Sequence, residues 1–198
     1  MNIKKNNQIY ILIFVSLAFS LTLSYYFISV YDDYNLNGIT HIMLKEETHS
    51  HWYEAAKIIK QIKSGVPFYI AGDEVFTKPL PQRIVVLYSY LTNFEIVGDW
   101  NSLRINLGGK LPFLFTQSLL YFIVLYFFYR QISKKISLNV VFFIIAFLCL
   151  EPTLFQYHSS FWTESFYFSI QLLILTLMID DKEKKINFAI IGLLLGIL

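Results

Sequence analysis

Asp32 and Asp33 are adjacent carboxylates at the end of a long uncharged run, and Glu151 and Glu164 are the only charges between Lys135 and Asp180. A carboxylate held at a membrane surface can serve as a general base or as a metal ligand. Asp32 and Asp33 can equally be solvated acids that end a helix. Charged groups at membrane depth are costly and mark function when they cannot reach water. Glu151 and Glu164 fall at the two ends of a turn where water is within reach. His49 and His51 lie two apart, on different faces of a helix, and so form a poor metal pair; solvation or hydrogen bonding suits them better. Asp73 and Glu74 follow Gly72 in a turn. Cys149, the only cysteine, forms no internal disulfide and reads as a buried thiol in an apolar run.

The elements that must position these groups are read from composition. The chain has 198 residues, 56% hydrophobic and 15% charged, with mean hydropathy +0.51. Soluble domains carry about 25% charged residues. A disordered tail, a disulfide-stapled mini-protein and an ordinary water-soluble enzyme are excluded. The net charge of +2 is too small to indicate nucleic acid as a partner.

A spanning helix needs about 20 apolar residues. Apolar runs over about 8–31, 111–129, 136–153 and 162–179 meet this need, and a fifth, 186–198, is cut short at Leu198. The first run is too long for a cleaved signal peptide, and Tyr25, Tyr26 and Phe27 stand where small residues would be required. The incomplete fifth run suggests the N-terminal part of a larger protein; a natural short chain with an interfacial last helix is the alternative. Lys4 and Lys5, then Arg130, Lys134 and Lys135, then Lys182, Lys184 and Lys185 fall on one side if each run crosses once. The positive-inside rule makes that side cytoplasmic. The expected class is an all-α polytopic membrane helix bundle in the cytoplasmic membrane, with residues 32–110 as a first extracytoplasmic loop. This threading brings Asp33 and Glu164 together on the non-cytoplasmic face.

The loop is far longer than a connector of roughly 4–6 residues. Over His49–Lys63, Trp52, Ala55, Ala56, Ile58, Ile59 and Ile62 share one helical arc, while Glu54, Lys57, Lys60 and Gln61 take the other side. Such a helix can lie flat in the membrane interface or pack against other helices. Ser64, Gly65 and Pro67 end it. Lys78-Pro79-Leu80-Pro81 predicts extended, non-helical chain. Ile84–Leu91 reads as a second surface helix, and Gly98, Gly108 and Gly109 mark loops. Tyr157 and Trp162 fit an interfacial aromatic belt.

Taken in order, these motifs resemble the membrane-embedded GT-C glycosyltransferases that use lipid-linked sugar donors, including the protein O-mannosyltransferase and aminoarabinose-transferase branches. The shared elements are the acidic pair Asp32-Asp33, the surface helix His51-Trp52-Tyr53-Glu54-Ala55-Ala56, Gly65, the Lys78-Pro79-Leu80-Pro81 element, and the later turn from Tyr157 to Thr163-Glu164-Ser165. The chain departs from the family pattern in the longer gap between Asp33 and Ala55, which makes Glu46 or Glu47 alternative counterparts of the family acid, and in the Leu80 that interrupts the Lys-Pro element.

The resemblance implies transfer of a sugar from a polyprenyl-phosphate donor to an acceptor hydroxyl or amine at the outer face, with inversion. Phosphate leaves without needing a proton. The work left to the protein is a base that takes the acceptor's proton and cations that hold the phosphate. By the same resemblance Asp33, with Asp32 and Glu164, supplies the catalytic carboxylates. Lys78, Arg83, Arg104 and His51 supply the substrate contacts. No motif specifies a cofactor or an oligomeric state; some branches of the family hold a divalent cation on carboxylates. The implied partners are the lipid bilayer and the lipid-linked donor. Two other classes fit the pattern: a surface-polysaccharide polymerase or ligase, and a non-enzymatic multi-pass component. Transporters place ionisable groups or broken helices near mid-depth, and these runs have no such group.

Overall fold

The computed structural model describes residues 3–31, 55–68, 71, 80–92, 107–154, 163–179 and 185–195. Among them there are helices and turns and no strand. α1 is Ile3–Tyr31 and α2 covers 55–63. α3 is Leu80–Thr92, α4 Leu107–Ile132 and α5 Leu138–Leu150. α6 is Thr163–Ile179 and α7 Lys185–Leu195.

Two of these helices are long and apolar enough to cross a membrane, over Asn6–Tyr25 in α1 and Pro112–Ile132 in α4. The runs read at 136–153 and 162–179 do form helices, but α5 has 13 residues and α6 has 17. At about 1.5 Å per residue they reach roughly 20 and 26 Å, against a hydrocarbon layer of about 30 Å. α5 stops early because Pro152 disfavours helical backbone at the residue before it. Glu151 accordingly adopts φ −67°, ψ 119° while its N–H still bonds to Phe147 O.

Two sequence-based expectations are corrected. Helix α3 begins at Leu80, so Pro81 lies within it rather than in extended chain. The first turn of a helix tolerates proline because its N–H has no intrahelical partner there. Gly108 and Gly109 lie in the opening turn of α4 rather than in a loop, and Pro112 follows inside the same helix. The long apolar stretch behind them outweighs their poor helix propensity.

The chain divides into two compact units. The first holds α1 up to Ser24, α4 from Leu114, and α5, α6 and α7. In it α1 and α4 run antiparallel. Tyr129 Oη donates to Asn6 Oδ1 at 2.8 Å, and fourteen residues further along α1 the hydroxyls of Ser20 and Ser118 meet at 3.1 Å. A short turn of successive backbone bonds, from Ser133 N–H to Ile136 N–H, folds α5 back along α4. Tyr121 Oη then donates to Leu148 O at 3.0 Å. One apolar cluster joins Ile9 and Ile13 of α1, Tyr121, Leu125 and Tyr129 of α4, Val141, Ile145 and Cys149 of α5, and Leu172 of α6. α6 and α7 pack on each other.

The buried faces of this unit are partly polar. Asn6, Ile9, Ile13, Ser16, Ser20 and Ser24 form one stripe of α1, and all are buried. Ser165, Ser169, Leu172 and Thr176 do the same on α6. Three of these hydroxyls bond within their own helix: Ser24 to Ser20 O, Ser169 to Ser165 O and Thr176 to Leu172 O. Large apolar side chains point the other way, including Phe14, Phe19, Phe127, Phe143 and Phe147. Small and hydroxylated residues between helices with bulky apolar residues outside is the arrangement favoured in hydrocarbon, where no hydrophobic force draws helices together.

The second unit contains α2, the turn that follows it, and α3. Helix α2 buries Ala55, Ala56, Ile58 and Ile59 and exposes Lys60 and Lys63. The apolar arc of its sequence is therefore covered by protein. Gly65 closes α2 at φ 97°, with Gly65 N–H bonded to Ile62 O and Val66 N–H to Gln61 O. This is a Schellman stop, whose left-handed position suits glycine. Helix α3 buries Gln82, Val85, Val86 and Ser89, one helical stripe.

Candidate functional site

Of the seven residues singled out for chemistry, Arg83 and Glu164 are among those described. Asp32, Asp33, His51, Lys78 and Arg104 lie outside the described residues, and with them the acid pair that immediately follows α1. The same holds for His49 and for the Tyr157–Trp162 part of the turn.

Arg83 sits in the first turns of α3 and acts on its own unit. Nη1 donates to Phe68 O, Nη2 donates to Ala71 O at 3.0 Å, and the guanidinium lies 5.3 Å from the Phe68 ring centre. Planar geometry lets one guanidinium serve two carbonyls and a ring at once. Arg83 thus ties the chain after α2 to α3. On the same helix Tyr88 meets Phe113 edge-on at 5.4 Å.

Glu164 is half-buried in the first turn of α6. A carboxylate there is stabilised by the positive end of the helix dipole. Tyr167, one turn on, is close enough to feel its charge. Glu164 and Arg83 belong to different compact units.

Glu151 has a clear local role. Its Oε2 accepts the Leu154 N–H at 2.7 Å and its Oε1 accepts the Thr153 hydroxyl at 2.9 Å. The Leu154 N–H, and after it the Thr153 donors, hold the carboxyl below the usual carboxylate range. Glu151 therefore caps the helical turn at 152–154. Among the described residues no three of His, Cys, Asp and Glu come together as a metal site would require.

Two features escaped the sequence reading. The serines of α1 recur every four residues, Ser16, Ser20 and Ser24, a spacing that marks one helical face. Arg130, read only as an orienting charge, is exposed one turn beyond Tyr126, whose ring lies 5.9 Å from that of Tyr10. Tyr126 and Arg130 are four apart on α4, and that interval was the available signal. The chain matches no protein-family model, no curated protein and no solved structure.

Proposed function

We propose that the chain is a multi-pass protein of the cytoplasmic membrane, with its basic clusters cytoplasmic and residues 32–110 extracytoplasmic. It serves sugar transfer from a polyprenyl-phosphate donor to an acceptor hydroxyl or amine, in the manner of the GT-C glycosyltransferases that its motifs resemble. The observation that carries the membrane half of this reading is the polarity of the first unit, with Ser16, Ser20 and Ser24 inside and Phe14, Phe143 and Phe147 outside. The antiparallel pairing of α1 and α4 supports the orientation. It sets the α1 end that bears Lys4 and Lys5 beside the α4 end that bears Arg130.

In this reading Asp33 takes the acceptor's proton as its oxygen or nitrogen attacks the anomeric carbon. The bond from that carbon to the phosphate oxygen breaks, and the phosphate leaves with the electron pair. Attack from the opposite side inverts the centre. Asp32 supports that base, and Lys78, Arg104 and His51 attend the phosphate and sugar.

Asp33→Asn in the full-length protein should abolish transfer from a polyprenyl-phosphate sugar while the protein still accumulates in the membrane. Unchanged transfer would reject Asp33 as the base. Neutralising Asp32, Asp33 and Glu164 together separates an enzyme from a non-enzymatic component, which would keep its cellular role.

A further inference from the structure

Between α1 and α4 runs an apolar groove of about 520 Å3, lined among others by Tyr10, Phe14, Leu119, Ile123, Tyr126 and Phe127. We infer that this groove seats one acyl chain of an anionic phospholipid of the cytoplasmic leaflet, with the lipid phosphate on Arg130. The inference rests on the membrane reading above and adds a ligand to it.

The groove lining runs from Leu119 to Phe127 on α4, eight residues or roughly 12 Å at about 1.5 Å per residue, with Arg130 one turn beyond it; half of a ~30 Å hydrocarbon layer is about 15 Å. Its volume falls in the range of about 300–1,000 Å3 typical of small-ligand sites. Its walls are open sideways: Phe14, Leu119, Ile123 and Phe127 are all exposed. A lipid tail can therefore enter from the bilayer without a gate.

One end of the groove changes character. Tyr10 lies 5.9 Å from Tyr126 and edge-on to Tyr129 at 5.4 Å. Arg130 is exposed one helical turn beyond Tyr126, and its five-donor fork suits a phosphate. Lys134 stands one turn on, with Nζ donating to Gln131 Oε1 at 2.8 Å. The bond between Tyr129 and Asn6 sets the start of α1, with Lys4 and Lys5, at this same end. Residues 1–31 and 107–150 contain no Asp or Glu, so nothing in these helices offsets the charge.

That charge selects the occupant. Basic clusters at the cytoplasmic ends of spanning helices recognise anionic headgroups. A free phosphate would leave the apolar groove unused. A second copy of the chain would bring like charges together. The polyprenyl-phosphate donor acts at the opposite face.

The test is the lipid retained by the full chain after reconstitution into vesicles of mixed phosphatidylglycerol and phosphatidylcholine, read by native mass spectrometry. Wild type should retain phosphatidylglycerol enriched about tenfold over its share of the vesicle, the gain expected from one charge-assisted contact of ~1.5 kcal/mol. Arg130→Gln should reduce that enrichment to the bulk ratio, and Arg130→Lys should restore part of it. Ile123→Trp, which fills the groove, should lose retained lipid of both kinds while helicity is kept. No enrichment in wild type, or equal enrichment in Arg130→Gln, would overturn the proposal, as would full retention in Ile123→Trp. Extraction of the chain by alkaline carbonate would instead overturn the membrane reading. An integrated chain with lipids at the bulk ratio overturns the groove alone.

Discussion

Helix α2 and the serine-bearing part of helix α1 bury opposite kinds of side chain. Helix α2, in the second unit, covers Ala55, Ala56, Ile58 and Ile59 and turns Lys60 and Lys63 outward. Helix α1, in the first unit, covers Ser16, Ser20 and Ser24 and turns Phe14, Val15 and Phe19 outward. The α2 pattern is that of a helix with water on one side, where burial of apolar surface at about 25 cal/mol per Å2 is the main driving force. The buried Ser16, Ser20 and Ser24 of α1 gain little from that force. Such a stripe makes sense where the solvent is itself apolar and close approach of backbones matters more. The two helices thus differ in what they put inside, and the division between the units falls within α1 and α4 themselves, after Ser24 and before Leu114.

Placing the same charge on both units is the strongest way to break this contrast. Val15 and Leu87 are almost equally exposed, 56% and 54%. Val15→Lys, in the middle of α1, should cost about 2.5–3.5 kcal/mol in a membrane-insertion assay. Leu87→Lys in α3 should change stability by less than ~0.5 kcal/mol, as for an ordinary surface site. Equal tolerance of the two would mean that both faces see water. A finer probe shortens one buried residue in each unit. Ile58→Val should destabilise the second unit by about 0.5–1.5 kcal/mol. On the proposed membrane reading Ile145→Val should cost the first unit less, because removing a methylene from a core surrounded by lipid forfeits contacts but little transfer energy. Denaturant titration of each single variant in a bilayer mimetic compares them, and a larger loss at Ile145 would reverse the assignment.

Smaller still is the hydroxyl pair. A double-mutant cycle of Ser20→Ala and Ser118→Ala should return a coupling of about 0.6 kcal/mol, the usual scale for hydrogen bonds between helices in lipid. A coupling near zero would leave packing alone to join α1 and α4. The weakest effect belongs to Glu151. Its carboxyl titrates lower in the fold than in the open chain, so the stability it lends is present above the unfolded value of about 4.3 and is lost as pH falls through the depressed native value. Amide exchange at Leu154 should therefore quicken in acid, and Glu151→Gln should remove most of that pH dependence.

Much of the helical plan is legible in the residues. The uncharged run after Lys5 and the one ending at Arg130 become α1 and α4, and the apolar arc of α2 is the face it buries. The Schellman stop at Gly65 follows from Ser64-Gly65. Where the reading failed, context overrode a local rule. Pro81 and Gly108 are helix breakers in isolation, yet both stand in opening turns, where a missing N–H or a flexible residue costs least. The short α5 was hidden because hydropathy continues past Pro152 while the backbone does not. The candidate site is less legible. The resemblance implied Arg83 as a substrate contact, and nothing in the local sequence reveals that it also donates to carbonyls fifteen and twelve residues earlier. Tyr10 meets Tyr126 and Tyr129 from more than a hundred positions away, and no local pattern contains those contacts.

That separation has a consequence for biosynthesis. Ser20 finds its partner on Ser118, 98 residues later. At roughly 5–20 residues per second of translation, α1 leaves the ribosome several seconds before the helix that covers its serine stripe exists. During that interval the stripe has no partner helix from its own chain, and its hydroxyls are left to bonds within α1, as Ser24 bonds to Ser20 O.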